Sequence, residues 1–306
     1  MKVLLTGATG YIGRRLKERL FSDKNVQLRL FVRNADKVGA STRSRVEVFE
    51  GNTFDKGSLR QALQGIDTAY YLIHSMGTKG NFEELDRLSA NNFLEACVAC
   101  KVKRIIYLGG LGRKETASRH LLSRLETGEI LSSKPEDIQT IWFRAGIIIG
   151  SGSASFEIIR NLVQKLPLMI IPRWVRTRTQ PISVGDVLNY LFLAKDIEPK
   201  ENLVVDIGSE QMSFKDMLER AARVMGLRRR LIPVPVLSPK LSSYWLILFT
   251  PVSYLIAKAL VEGLKSETII QNDNAAKYFP GVSLLSYEKA VEVALAEIES
   301  NQVISR

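Results

Sequence analysis

A doubly wound α/β sheet with a smaller C-terminal lobe is the fold this 306-residue sequence predicts, and three observations predict it. Short apolar runs alternate with amphipathic stretches through the first half, the rhythm of parallel strands joined by right-handed helical crossovers. The first apolar run ends in a glycine-rich turn that opens a helix. After residue 150 the alternation loosens into helices, prolines and an irregular basic stretch. With 45% hydrophobic and 25% charged residues the chain can bury a core, which excludes a disordered or fibrous class.

The run 1–6 is short and apolar and stops at glycine, hence a buried strand. Over 11–21, Ile12, Leu16 and Leu20 share one helical face, with Arg14, Arg15, Lys17 and Arg19 elsewhere. Further strands are expected at 26–32, 46–49, 68–73, 104–108 and 140–143, with helices near 56–64, 82–100 and 119–132 between them. Beyond Gly150 a helix is expected over 155–165, irregular chain over 167–181, a helix over 183–194 and a strand over 202–206. A helix over 213–225, with Ser213 as its N-cap, and a closing helix over 286–299 complete the chain. The domain plan is a sheet domain over 1–150 that borrows elements from about 181–207, and a smaller substrate lobe over 151–306.

Thr6-Gly7-Ala8-Thr9-Gly10-Tyr11-Ile12-Gly13 is the strongest motif. A tight turn needs Gly7, close approach of backbone to a pyrophosphate needs Gly10, and close helix–strand packing needs Gly13. The first N–H groups of the helix then face a diphosphate. Gly7, Thr9, Gly10, Tyr11, Ile12 and Gly13 are therefore candidate cofactor-binding residues. The second strand ends at Arg33, where an acidic residue would hold the ribose hydroxyl of NAD. Arginine pairs instead with a 2′-phosphate, and Lys37 stands ready to assist, so NADP(H) is expected ahead of NAD(H). Asn52 and Thr53 follow the third strand, and His74 and Ser75 the fourth. Both pairs sit at C-terminal strand ends, where open α/β sheets bind ligands, and Asn52 is placed to reach the adenine.

The balance is basic, 43 Lys+Arg against 32 Asp+Glu for a net +11, which favours anionic partners: phosphates, nucleic acid or an acidic lipid surface. Cys97 and Cys100 end a helical stretch, where the dipole disfavours a thiolate, and no second Cys/His pair completes a zinc site. Both are read as structural and no metal is expected. The glycine motif starts at Thr6, which leaves no room for a cleavable leader and makes a cytoplasmic location the expectation. The most apolar stretch, 241–257, is 17 residues with Pro251 and four hydroxyl residues, short of the roughly 20 that a membrane span needs. A buried helix pair is expected there, able to roof a pocket or to touch a membrane surface.

The motif from Thr6 to Gly13, the strand-end Arg33, Gly51-Asn52-x-x-Asp55 and Trp142-Phe143-Arg144-Ala145-Gly146 resemble an atypical short-chain dehydrogenase/reductase, above all the NmrA-like branch. The chain is also similar to the nucleotide-binding accessory subunit of respiratory complex I. Over 70–77, 107–112 and 151–184 it resembles a bacterial group described only as NAD(P)-binding. The resemblance covers nearly the whole chain and implies a Rossmann-type sheet with a small C-terminal substrate lobe. It also implies that catalytic members use a serine at the end of the fifth strand and a Tyr-x-x-x-Lys pair on the next helix. Here the strand ends Leu108-Gly109-Gly110-Leu111-Gly112, without serine. His120 falls at the tyrosine, Arg124 at the lysine, and Asp86 near the superfamily's helix asparagine.

Two readings stand. In one the chain is an oxidoreductase, with His120 as general acid and Arg124 gripping the ribose. In the other it binds dinucleotide without turnover, as a sensor or assembly protein. The basic loop 172–181 carries Arg173, Trp174, Arg176 and Arg178. Its corresponding segment in related proteins lines the substrate pocket, so a small-molecule substrate that is anionic, planar or quinone-like is expected. Some atypical relatives bind RNA; that reading is the weakest, because no recognised RNA module is present.

Overall fold

The computed structural model describes residues 1–74, 81–172, 176–234, 253–264 and 266–300. Strands β1 (Lys2–Thr6), β2 (Gln27–Val32), β3 (Glu47–Glu50), β4 (Thr68–Tyr71), β5 (Arg104–Gly110) and β6 (Gln139–Ala145) alternate with helices α1 (Tyr11–Ser22), α2 (Ala40–Arg43), α3 (Lys56–Leu63), α4 (Phe82–Ala99) and α5 (Arg119–Leu131). Then come β7 (Ile148–Ile149), α6 (Ala154–Lys165), β8 (Leu168–Pro172), β9 (Arg178–Thr179), β10 (Ile182–Ser183), α7 (Val184–Leu193), β11 (Leu203–Ile207), β12 (Met212–Ser213), α8 (Phe214–Val224) and β13 (Arg230–Val234). Helices Tyr254–Gly263, Asn274–Tyr278 and Tyr287–Glu299 follow.

The central sheet has seven parallel strands in the order β11-β6-β5-β4-β1-β2-β3, the Rossmann arrangement the sequence leads one to expect. Both faces are covered, so strands read as continuous apolar runs; all four residues of β4 are buried. Successive residues feed opposite cores. Leu5, Ile106 and Phe143 join α1 and α7 on one face; Leu4, Ile105 and Trp142 join α3, α4 and α5 on the other. A third core lies in the C-terminal lobe. It unites Phe156 and Ile159 of α6, Met217 and Ala221 of α8, Met169 and Ile171 of β8, and Tyr287 and Val291 of the last helix. Ser213 and Asp216 form a reciprocal capping box that fixes the start of α8.

The chain order reverses between β1 and β4, and the crevice at that switch point is where such sheets hold ligands. Two sequence expectations need correction. The segment 167–181 is not irregular throughout: β8 and β9 form in it. Arg15, read as lying away from the apolar face of α1, is buried. It donates to the Ser151 carbonyl (2.8 Å) and hydroxyl (3.1 Å), with its guanidinium over the Tyr11 ring. The physical reason is that the C-terminal lobe packs against the polar side of α1. Cys97 is buried at the end of α4, where loss of hydration pushes its thiol well up. Among the described residues no helix is long and apolar enough to cross a membrane. The first part of the apolar stretch, 241–252, lies outside those residues.

Candidate active site

The glycine turn after β1 is built by steric necessity. Gly7 adopts φ +65°, and a Cβ there would lie 2.3 Å from the Leu72 carbonyl oxygen. A Cβ on Gly13 would lie 2.1 Å from the Gly7 oxygen, so helix α1 can approach the turn only with glycine at that position. Gly10 differs: its nearest neighbour would be the Gly7 oxygen at 3.2 Å, leaving the other side open. As N-cap of α1 it makes no side-chain cap, the arrangement in which a helix start can hold an anion. This cradle fits a dinucleotide pyrophosphate.

A cavity of about 1110 Å³ starts at that turn. Gly7, Thr9, Gly10, Tyr11, Ile12 and Gly13 line one end. Leu72, Ile73, His74, Leu108, Gly110, His120 and Arg124 line the middle, together with Ala145 at the end of β6 and Gly146, Ile147 and Ile148 after it. The far end is apolar, walled by Ile158, Leu162, Met169, Ile171, Phe214 and Leu218 of the small lobe, with Ala259, Leu260 and Val261 of helix Tyr254–Gly263. The volume exceeds the roughly 300–1,000 Å³ of single small-molecule sites, so a cofactor and a second molecule fit together.

Arg33 and Lys37 stand off this cavity, exposed at the end of β2 and just beyond it, without ion-pair partners among the described residues. Asn52 is also exposed; its side-chain oxygen accepts the Phe54 N–H (3.2 Å). Thr53 is buried. Its hydroxyl accepts from Ser89 (2.7 Å), which in turn meets the Tyr71 hydroxyl, so it faces the α4 side of the sheet and is not on the cavity wall. Ser75, Arg173 and Trp174 lie outside the described residues. Arg176 is exposed and is not part of the cavity wall. Arg178 is part of it but is ion-paired with Glu267 at 2.9 Å.

His120 and Arg124 sit one turn apart on α5 and face the cavity together. The His120 ring stacks on Phe82 with centroids 4.2 Å apart. Loss of hydration lowers its pKa below the ordinary value of 6.5, opposed by the Glu262 charge and reinforced by Arg119. His74 lines the cavity and is solvent-accessible there. Its pKa falls to about 4, first from lost hydration, then from the Arg124 cation and His120. Both imidazoles are therefore shifted toward the neutral form. Arg124 donates to the Leu108 carbonyl (3.1 Å), and its buried Nε has no hydrogen-bond partner among the described residues. A serine at Gly109 or Gly110 would have to displace a neighbouring side chain: added Cβ atoms would lie 2.5 Å from Trp142 Nε1 and 2.6 Å from Leu121 Cδ1. Beneath, buried Asp86 accepts the Ser123 hydroxyl (2.9 Å) and so fixes α4 against α5.

Sequence reasoning missed the Phe82–His120 stack and most of the apolar wall. No local signal marks either, because the wall is assembled from three separate stretches of the small lobe.

The sequence profile of an NAD(P)H-binding family matches residues 7–139. Prestalk A differentiation protein A of Dictyostelium discoideum is 29% identical over 115 residues, which spans about a third of this chain and a third of that protein. Triphenylmethane reductase of Citrobacter sp., also solved with NADP(H), superposes with a TM-score of 0.77 at 20% identity, covering 97% of this chain and 100% of that one. The NADPH-dependent quinone oxidoreductase of Escherichia coli, complexed with NADPH, superposes at 0.74 and 17% identity, covering 95% and 98%. Residues 7–139 thus match an NAD(P)H-binding family, and the chain that carries them has the same fold as these two structures.

Proposed function

We propose that the protein is an NADPH-dependent reductase of apolar, quinone-like acceptors. The apolar far end of the cavity carries this reading. Burying a flat hydrocarbon body there gains about 25 cal/mol per Å² removed from water. An anionic substrate is disfavoured, because Arg178, the basic-loop arginine on the described wall, is already paired with Glu267. The dinucleotide, when bound, supplies the hydride. Gly7, Gly10 and Gly13 would hold its pyrophosphate, and Arg124 its nicotinamide ribose.

Arg33 and Lys37 support the choice of NADP(H). NADPH should raise the melting temperature more than NADH at equal concentration, since ligand at a hundredfold excess over Kd adds about 2.7 kcal/mol. Arg33→Asp should erase or reverse that preference. Equal shifts with both cofactors in the unaltered protein would remove Arg33 from the site.

As a neutral imidazole, His120 is no longer suited to the role of a cationic general acid. It acts instead as a hydrogen-bond donor to the oxygen on which charge develops. A hydroquinone anion is stable enough to take its proton from water, so the missing tyrosine costs such an acceptor little. Purified protein should oxidise NADPH, followed at 340 nm, with quinones as acceptors, and the rate should not fall as pH rises from 7 to 8. His120→Phe, which keeps the stack on Phe82, should lower kcat about a hundredfold with NADPH affinity unchanged. A rate that falls as pH rises through 7 would restore the imidazolium. Saturable NADPH binding with no oxidation by quinones, enones or ketones would establish the sensor reading.

A further inference from the structure

The positive charge of this chain is not spread evenly. Residues 158–185 contain five Lys/Arg and no Asp or Glu, and residues 220–261 contain seven and none. Outside these two stretches basic and acidic residues balance to within one charge. The excess of +11 thus resides almost wholly in two segments of the small lobe.

The fold brings one strand of each segment side by side. β8 from the first pairs in parallel with β13 from the second, with Leu168 beside Arg230 and Ile170 beside Ile232. Alternation turns Met169 and Ile171 into the lobe core, 1% and 4% exposed. It leaves Leu168, Ile170 and Ile232 outward, 48%, 51% and 45% exposed. Arg228 and Arg230 are exposed at the start of this strip and have no ion-pair partner among the described residues. Arg229 is spent differently: it caps α6 by donating to the Val163 and Gln164 carbonyls, which fixes the start of β13. Ile170 also lines the wall of the large cavity, so the apolar strip adjoins the cavity.

We infer that this strip is a docking face for an anionic lipid bilayer, from which the cavity draws an acceptor dissolved in the membrane. Three outward aliphatic side chains flanked by uncompensated arginines are the pattern of a peripheral membrane contact. Apolar atoms enter the headgroup boundary while guanidinium groups meet lipid phosphates. A nucleic acid fits less well, since its backbone offers nothing to the Leu168, Ile170 and Ile232 strip. The identity of the acceptor rests on the reductase reading above; the docking itself does not.

Co-sedimentation of the full chain with vesicles tests the docking. Vesicles of phosphatidylcholine with 30% phosphatidylglycerol should retain the protein, and pure phosphatidylcholine should not. Retention should fall as salt rises from 0.05 to 0.5 M. Arg228→Glu/Arg230→Glu should weaken it about tenfold or more, and Leu168→Ser/Ile232→Ser should weaken it at low salt as well. NADPH binding in each variant, unchanged, shows that the fold is intact. Equal partition onto neutral and anionic vesicles, or duplex DNA bound through the same arginines with no vesicle binding, overturns the inference. A further arm separates it from the reductase reading. A long-chain quinone held in anionic vesicles should be reduced faster than in neutral ones, with a short-chain soluble quinone unaffected. Vesicle binding without reduction of either quinone leaves docking standing and removes the reductase.

Discussion

Gly13→Ala should abolish dinucleotide binding and cost about 3 kcal/mol or more of stability, whereas Gly10→Ala should leave stability almost untouched while weakening NADPH at least about tenfold. The contrast follows from the backbone. A methyl on Gly13 would stand 2.1 Å from the Gly7 oxygen and 2.7 Å from its carbonyl carbon, atoms that cannot yield without moving α1 off β1. A methyl on Gly10 meets only one backbone oxygen at 3.2 Å, and otherwise occupies the open side where a pyrophosphate would lie. Thermal melting gives the first effect and NADPH fluorescence titration the second. A Gly10→Ala protein that binds NADPH normally would place the phosphates elsewhere on the turn.

These glycines were legible in the sequence because their roles are local: a turn, a helix start and a close approach, all within eight residues. The strand–helix alternation was legible for the same reason. What escaped is what distant segments decide together. Arg15 has the spacing of a solvated helix residue, yet Ser151 and Tyr11 enclose it once the lobe closes over α1. The basic loop invites an anionic ligand, yet Arg178 meets Glu267, 89 residues away. The position of His120 was readable from its helix register. Its protonation was not, because Phe82 and the cavity walls that strip water from it come from other elements. Thr53 is a further case: its strand-end position suggests ligand contact, and its side chain turns toward Ser89 on α4, a contact the sequence does not announce.

Asp206→Ala should destabilise the protein by about 3–5 kcal/mol, as expected when one partner of a buried ion pair is removed. Asp206 is fully buried on β11 and lies directly across from Arg144 on β6. The two form a fork-to-fork pair, Nε to Oδ1 at 2.6 Å and Nη2 to Oδ2 at 3.0 Å. Oδ2 also accepts the Gln271 N–H at 2.7 Å, so one carboxylate ties the outermost strand of the sheet and a distant loop to β6. The alanine variant strands a nearly buried guanidinium and a backbone donor at once. Replacing both partners, Arg144→Met/Asp206→Leu, removes the uncompensated charge and should recover more than half of the loss in urea unfolding. The functional consequence lies immediately downstream. Ala145 ends β6 next to Arg144, and with Gly146, Ile147 and Ile148 it lines the cavity. Where the single variant still folds at low temperature, KM for a quinone should rise while the NADPH dissociation constant stays near its original value, because the turn at Gly7 to Gly13 belongs to another part of the sheet. A loss below 1 kcal/mol for Asp206→Ala would mean that water reaches Arg144 and that the pair does not hold the wall.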